Sequence, residues 1–155
     1  MGCATAWDNV KVAILGCGRV GARLANTLDD QGHRVSIIDR NPDAFRRFLN
    51  PHFGGQVVVG VGIDEDILRR AGLEDADVFV AATNLDNVNA MASQIAQHIF
   101  KVPKVIARLY DPFREELYET LGLTTVCPTR VSAEAIRKKL NAHWNVPVQN
   151  PANGR

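Results

Sequence analysis

The chain has 155 residues, 46% of them hydrophobic and 23% charged, and a net charge of +1. That length fits one domain able to bury a core, and the small charge gives no long-range pull toward nucleic acid or an anionic membrane. Three cysteines (Cys3, Cys17 and Cys127) without a C-x-x-C pair argue against a disulfide framework or a zinc site and for a reducing compartment. No apolar run approaches the roughly 20 residues of a membrane span, and no signal-peptide h-region is present. The start Met1-Gly2-Cys3-Ala4-Thr5-Ala6 comes near a myristoylation signal but has Ala6 where Ser or Thr is required.

Val10 to Leu15 is a short run rich in β-branched residues that ends in Gly16-x-Gly18-x-x-Gly21. Strand, glycine turn and helix in that order make the motif meaningful. Gly16 suits the tight turn, Gly18 lets main chain approach a phosphate, and Gly21 lets the helix pack on the strand. The helix is expected over Arg19 to Gln31, with Val20, Leu24 and Leu28 inward and Gly32 as its stop. Arg34 to Asp39 is a second strand closed by an acid 18 positions past Gly21, near the interval of roughly 20 expected of a ribose-binding carboxylate.

Asn41-Pro42 reads as an N-cap followed by a first-turn proline, opening a short helix with Phe45, Phe48 and Leu49 inward. Gln56 to Gly60 reads as a third strand, apolar enough to be covered on both faces. Asp64 caps a helix that turns Ile67, Leu68 and Ala71 inward and stops at Gly72. The rhythm then repeats. Val78 to Ala82 is a strand, and Thr83-Asn84 opens a long helix with a stripe of Val88, Met91, Ala92, Ile95, Ala96 and Ile99. Lys104 to Arg108 is the fifth strand. Asp111-Pro112 starts a helix with Phe113, Leu117 and Leu121 inward, Thr124 to Cys127 is the sixth strand, and Ser132 to Leu140 the last helix.

Right-handed crossovers turn this order into an α/β fold, a Rossmann-like doubly wound parallel sheet with strand order 3-2-1-4-5-6. Residues 1–8 read as an N-terminal extension, 9–142 as one nucleotide-binding domain and 143–155 as a disordered tail rich in Asn and Pro.

Ligands of such sheets sit outside the carboxyl ends of the strands where the order reverses. That places Gly16, Cys17, Gly18, Arg19, Val20 and Gly21 around one crevice with Asp39, Arg40, Gly60, Val61, Ala82, Thr83, Asn84 and Arg108. Asp39 should accept from both ribose hydroxyls and disfavour a 2′-phosphate, an effect that Arg40 softens; its bland alternative is a solvated strand-end charge. Arg19 opposes the helix dipole, which makes sense beside an anion, although it can equally point into water. Arg108 ends a central strand and needs a partner, either a phosphate or a carboxylate such as Asp86. Cys17 fills a small-residue slot, and Cys127 is read as core. His33, His52, His98 and His143 stand singly, without metal-ligand spacing.

Catalytic signatures are missing from the sequence. Neither Tyr110 nor Tyr118 is followed by a lysine four residues on, and neither a G-x-x-x-x-G-K-[ST] nor a G-x-S-x-G motif occurs. A unit of this kind reads as a sensor rather than an enzyme. The rival readings are a small NAD-dependent oxidoreductase, or the cofactor half of one, and a nucleotide-free scaffold.

The stretch V-A-I-L-G-C-G-R-V-G, the G-H-R-V-S-I-I-D-R segment ending around Asp39, A-G-L-E-D-A-D-V-F-V-A-A-T-N from Ala71 to Asn84, Asp86 with Asn89, and V-I-A-R at Val105 to Arg108 resemble the N-terminal domain of the TrkA/KTN family, also called RCK. The resemblance covers Val10 to Leu140. It implies a cytoplasmic gating subunit that binds NAD(H) or ATP/ADP, assembles as a homodimer or larger ring, and docks on a membrane K⁺ transporter or channel without entering the bilayer. On that resemblance Gly16, Gly18, Arg19, Val20 and Gly21 hold phosphates, Asp39 and Arg40 the adenosine end, and Thr83 with Arg108 the far wall. Many members continue into a smaller C-terminal ligand-binding domain that this sequence does not include.

Overall fold

A computed structural model describes residues 9–144. Six parallel strands run in the order β3-β2-β1-β4-β5-β6: β1 Lys11–Leu15, β2 Arg34–Asp39, β3 Gln56–Val59, β4 Val78–Ala81, β5 Lys104–Arg108 and β6 Thr124–Val126. The helices between and after them are α1 Arg19–Asp30, α2 Pro42–Phe48, α3 Glu65–Arg70, α4 Asp86–His98, α5 Pro112–Thr120 and α6 Pro128–Trp144, with a single 3₁₀ turn at Leu73–Asp75. The expected fold class and strand order hold. The proposed N-terminal extension and the tail from 145 lie outside the described residues, whereas α6 carries regular structure two residues past the boundary expected at 142.

Alternation along β1 assigns the two faces. Val12 and Ile14 join Val35, Ile37, Ala22 and Ala25 under α1 and α2. Ala13 and Leu15 join Ile38, Val58, Leu68, Leu73 and Phe79 on the other face, with Ala92 and Ala96 of α4. Phe79 is fully buried, and burying a ring of that size contributes roughly 2–3 kcal/mol. Pairing β1 with both β2 and β4 (Ile14 opposite Ile37 and Val80) makes it the central strand.

Several expected inward residues are exposed, each for a packing reason. Val20 is 47% exposed because α1 presses on the sheet through Gly21, Ala22 and Ala25, leaving Leu24 and Leu28 at the margin and Val20 around the side. Val57 and Val59 are about half exposed. As part of an edge strand bonded to β2 alone, β3 buries only Val58. On α4 the buried face is Asn89, Ala90, Ala92, Ser93 and Ala96, so Met91 and Ile99 point outward. The largest departure is α5, where Phe113 (84% exposed), Leu117 and Leu121 face solvent while Glu115 is the buried residue. Last, α6 starts at Pro128, four residues earlier than expected, because proline suits a first helical turn.

An added Cβ at Gly21 would run into the Gly16 carbonyl oxygen, which belongs to rigid backbone. Gly21→Ala is therefore expected to lower stability by about 1–3 kcal/mol, read as a drop in denaturation midpoint at unchanged m-value.

Candidate functional site

The loop from β1 to α1 is shaped by two glycines used in different ways. Gly16 sits at φ +101°, and a Cβ there would lie 2.9 Å from the Thr83 nitrogen and 3.0 Å from the Ala82 carbonyl carbon. Gly18 is the N-cap of α1, with no side chain to bond the first-turn N–H groups. A Cβ on it would meet nothing within 4 Å. The helix therefore offers unpaired donors and its positive dipole end to open space, which is the arrangement that takes an anion. Arg19, the first residue of α1, is exposed beside it.

Asp39 faces this loop from the end of β2. Its Oδ2 accepts from the Cys17 N–H at 2.8 Å and its Oδ1 from the Asn41 N–H at 2.8 Å. A carboxylate has about four lone-pair sites, so each oxygen keeps one for a further hydroxyl. The acid is half-buried and lines the crevice together with Gly16, Arg40, Gly60, Val61, Thr83 and Asn84, in a cavity of about 120 Å³. Cys17, Gly18, Arg19, Val20, Gly21, Ala82 and Arg108 are outside that lining. Arg19 borders a shallower hollow of about 410 Å³ with Arg23 and Phe48 between α1 and α2. Another, of about 390 Å³, surrounds Lys11, Arg34 and Ser36 at the amino ends of the strands. Position outweighs size here, because the crevice is the one at the carboxyl ends, where the strand order reverses.

The opposite wall is built by two side chains of α4. Asn89 is fully buried. Its Oδ1 accepts from the Thr83 N–H (2.9 Å) and hydroxyl (2.6 Å), and its Nδ2 donates to the carbonyls of Thr83 (3.0 Å) and Arg108 (2.8 Å). Asp86 accepts from the N–H groups of Tyr110 (2.8 Å) and Asp111 (3.1 Å). The sequence offers Asp86 only as a carboxylate partner for Arg108, and Asn89 only as part of the family resemblance. Two polar residues almost one turn apart at the start of a stripe of small apolar residues were the signal available. The helix itself begins at Asp86 rather than at Thr83-Asn84, because the Thr83 hydroxyl accepts from the Leu85 N–H (3.2 Å) and holds a turn there.

Arg108 departs from the ion pair that was one of its two expected partners. The oxygens of Asp86 are occupied by main chain, and Arg108 instead donates from Nη1 to the Ala82 carbonyl (3.2 Å) and lies over the Tyr110 ring at 4.3 Å. Burial pushes its guanidinium pKa down, opposed by the negative charge of Asp86. Cys17 is fully buried, and burial, followed by the negative charge of Asp39, pushes its thiol up to about 12.

The family model of the TrkA-N domain matches residues 12–129. This chain belongs to the TrkA-N domain family. The Trk system potassium uptake protein TrkA of Streptomyces coelicolor is 47% identical over 129 residues, which cover 83% of this chain and 57% of that protein. This TrkA-N chain therefore spans little more than half the length of that curated relative. Among solved structures, the Shewanella denitrificans Kef CTD in AMP-bound form has a TM-score of 0.75 at 25% identity, covering 88% of this chain and 82% of that one. The GsuK channel bound to NAD has a TM-score of 0.63 at 22% identity, over 80% of this chain and 22% of that one, a likeness of fold.

Two outcomes follow from this geometry. Asn89→Leu leaves the Thr83 N–H and the Arg108 carbonyl without partners, and about 2–4 kcal/mol of stability should be lost in chemical denaturation. With its thiol held protonated, Cys17 should resist iodoacetamide at pH 8 in the folded protein and react once guanidinium unfolds it, as peptide mapping of the alkylated cysteine would record.

Proposed function

We propose that this TrkA-N chain is a cytoplasmic, nucleotide-sensing regulatory domain of a potassium-transport system, and that it performs no chemistry of its own. The observation that carries this reading is the open, uncapped N-terminus of α1 at Gly18, set beside an acid with acceptor sites to spare. An adenine nucleotide fits such a donor set: N–H groups and Arg19 for the phosphates, Asp39 for the ribose hydroxyls, and Arg40, Gly60 and Val61 along the adenosine edge. Thr83, Asn84 and Arg108 complete the far wall, with Cys17, Val20 and Ala82 shaping the main chain behind it. The relatives support the same ligand class, since one solved structure carries AMP and another NAD, and the Streptomyces protein is named for potassium uptake.

Regulation then works by differential affinity. A nucleotide can bias a gate only as far as it binds one arrangement of the domain better than another. Arg19 and Arg108 are the two cations whose engagement differs between a mononucleotide, a triphosphate and a dinucleotide. Partnership with a membrane K⁺ transporter or channel, and assembly as a homodimer or ring, are part of this proposal. Their support in the fold is the exposed apolar surface of α5 and α6, with Phe113, Leu117, Leu121, Val131 and Ile136 all more than half exposed. No helix among the described residues is long and apolar enough to cross a membrane.

Calorimetric titration with ATP, ADP, NAD⁺ and NADH is the direct test. At least one should bind, and a ligand at 100 times its Kd should stabilise the fold by about 2.7 kcal/mol. Arg19→Ala should weaken the polyphosphates about tenfold or more, the loss expected of a charged hydrogen bond. Gly18→Val, which meets no protein atom at its Cβ, should abolish binding while leaving the chain folded. Absence of heat and of thermal stabilisation for all four nucleotides would overturn the reading.

A further inference from the structure

Arg108 holds a polar atom that the fold leaves unanswered. Its Nε is buried without a hydrogen-bond partner among the described residues, although Nη1 reaches the Ala82 carbonyl. A buried donor is seldom left that way in a native protein, and this one belongs to a side chain bonded next to Thr83, which lines the crevice. The guanidinium is seated on a ring, its Cζ 4.3 Å from the centroid of Tyr110. The Tyr110 hydroxyl makes no hydrogen bond among the described residues, so the aromatic face alone forms the seat.

The main chain of Tyr110 is held on both sides. Its N–H donates to Asp86 at 2.8 Å, and its carbonyl accepts from the Thr129 hydroxyl at 2.7 Å and the Cys127 thiol at 3.5 Å. Thr129 lies in the first turn of α6. Among the described residues, the other side-chain links from α6 to the rest of the fold are those of Arg130, 3.1 Å from Glu115 and 3.4 Å from Glu116. Among the described residues, the polar ties of this 17-residue helix to the body thus lie at its base, with Val131, Ile136 and Leu140 exposed along its length.

We propose that Tyr110 is a positioning residue: its ring seats the Arg108 guanidinium for the ligand and its carbonyl, held by Thr129, ties that seat to the base of α6. The inference rests on the nucleotide reading above and deepens it. A ligand acceptor that takes the Arg108 Nε–H turns the guanidinium on the ring. The ring can adjust through its own side-chain torsions, and the part of the shift that reaches the Tyr110 backbone acts on the carbonyl that anchors α6. By linkage, whatever holds α6 in place changes how readily Arg108 meets the ligand.

Hydrogen exchange of peptides spanning 128–144, measured with calorimetry on the whole chain with and without ADP or NAD⁺, tests this. Wild type and Tyr110→Phe should bind alike and show ligand-dependent exchange at the base of α6. Tyr110→Leu removes the ring face and should weaken binding about three- to tenfold, the range of a partly exposed cation–π contact, and lose the α6 response. Thr129→Val, on an exposed position, should keep the ligand protection of the β1–α1 loop yet lose the α6 response, and it decides the matter should Tyr110→Leu not fold. A response of α6 that persists in Thr129→Val, or a Tyr110→Leu that binds and responds as wild type does, overturns the proposal. Wild type that binds neither nucleotide overturns the underlying nucleotide reading, and is told apart by its lack of binding heat.

Discussion

The two oxygens of Asp39 hold adjacent turns in register, one closing on the Cys17 N–H in the glycine loop and the other on the Asn41 N–H ahead of α2. A main-chain bond from the Gly16 N–H to the Ile38 carbonyl, at 2.7 Å, reinforces the same join. With the loop fixed to β2, the first turn of α1 points at the space beyond β1 rather than collapsing onto the sheet. The acid thus braces the loop as well as lining the crevice. Charged acceptors bonded to main-chain N–H groups are among the stronger hydrogen bonds available.

The other half of the sheet solves the same problem with different chemistry. No acid stands at the end of β4 or β5; an amide and a carboxylate from one helix do the work instead. Asn89 uses both its oxygen and its nitrogen to join Thr83 to Arg108, and Asp86 takes the N–H groups of Tyr110 and Asp111 just beyond β5. The two walls of the crevice are therefore each braced by one element reaching across to the next strand's loop. A fully satisfied network of this type specifies one arrangement, whereas a half-satisfied one would be costly.

Much of this was legible beforehand, because the signals were local. β2 and β5 begin and end where alternation and flanking residues place them, and Asn41, Asp64 and Asp111 cap the helices whose starts they announce. The glycine spacing located the crevice. Legibility failed where burial depends on which helix lies over which face. Phe113, Leu117 and Leu121 have the spacing of a buried stripe, yet α5 meets the sheet through Glu115 and Tyr118. Periodicity reports that a helix has an apolar side, not what covers it. Likewise the sequence marks Arg108 as needing a partner, but that the partner is a carbonyl and a ring follows only from the placement of Ala82 and Tyr110.

The central position of β1 also bears on how the chain acquires its shape. Lys11 bonds to Asp77 across 66 positions, and β1 gains its second neighbour only when β4 is available. During synthesis the first three strands can assemble as soon as they emerge, but one edge of β1 stays open until Ala81 has left the ribosome. Such non-local pairing slows folding and leaves an unpaired edge exposed in the interval. The strand that carries the glycine turn is thus the last of the first half to be closed in, and the crevice beside it gains its Thr83 and Asn84 wall only after both halves have met.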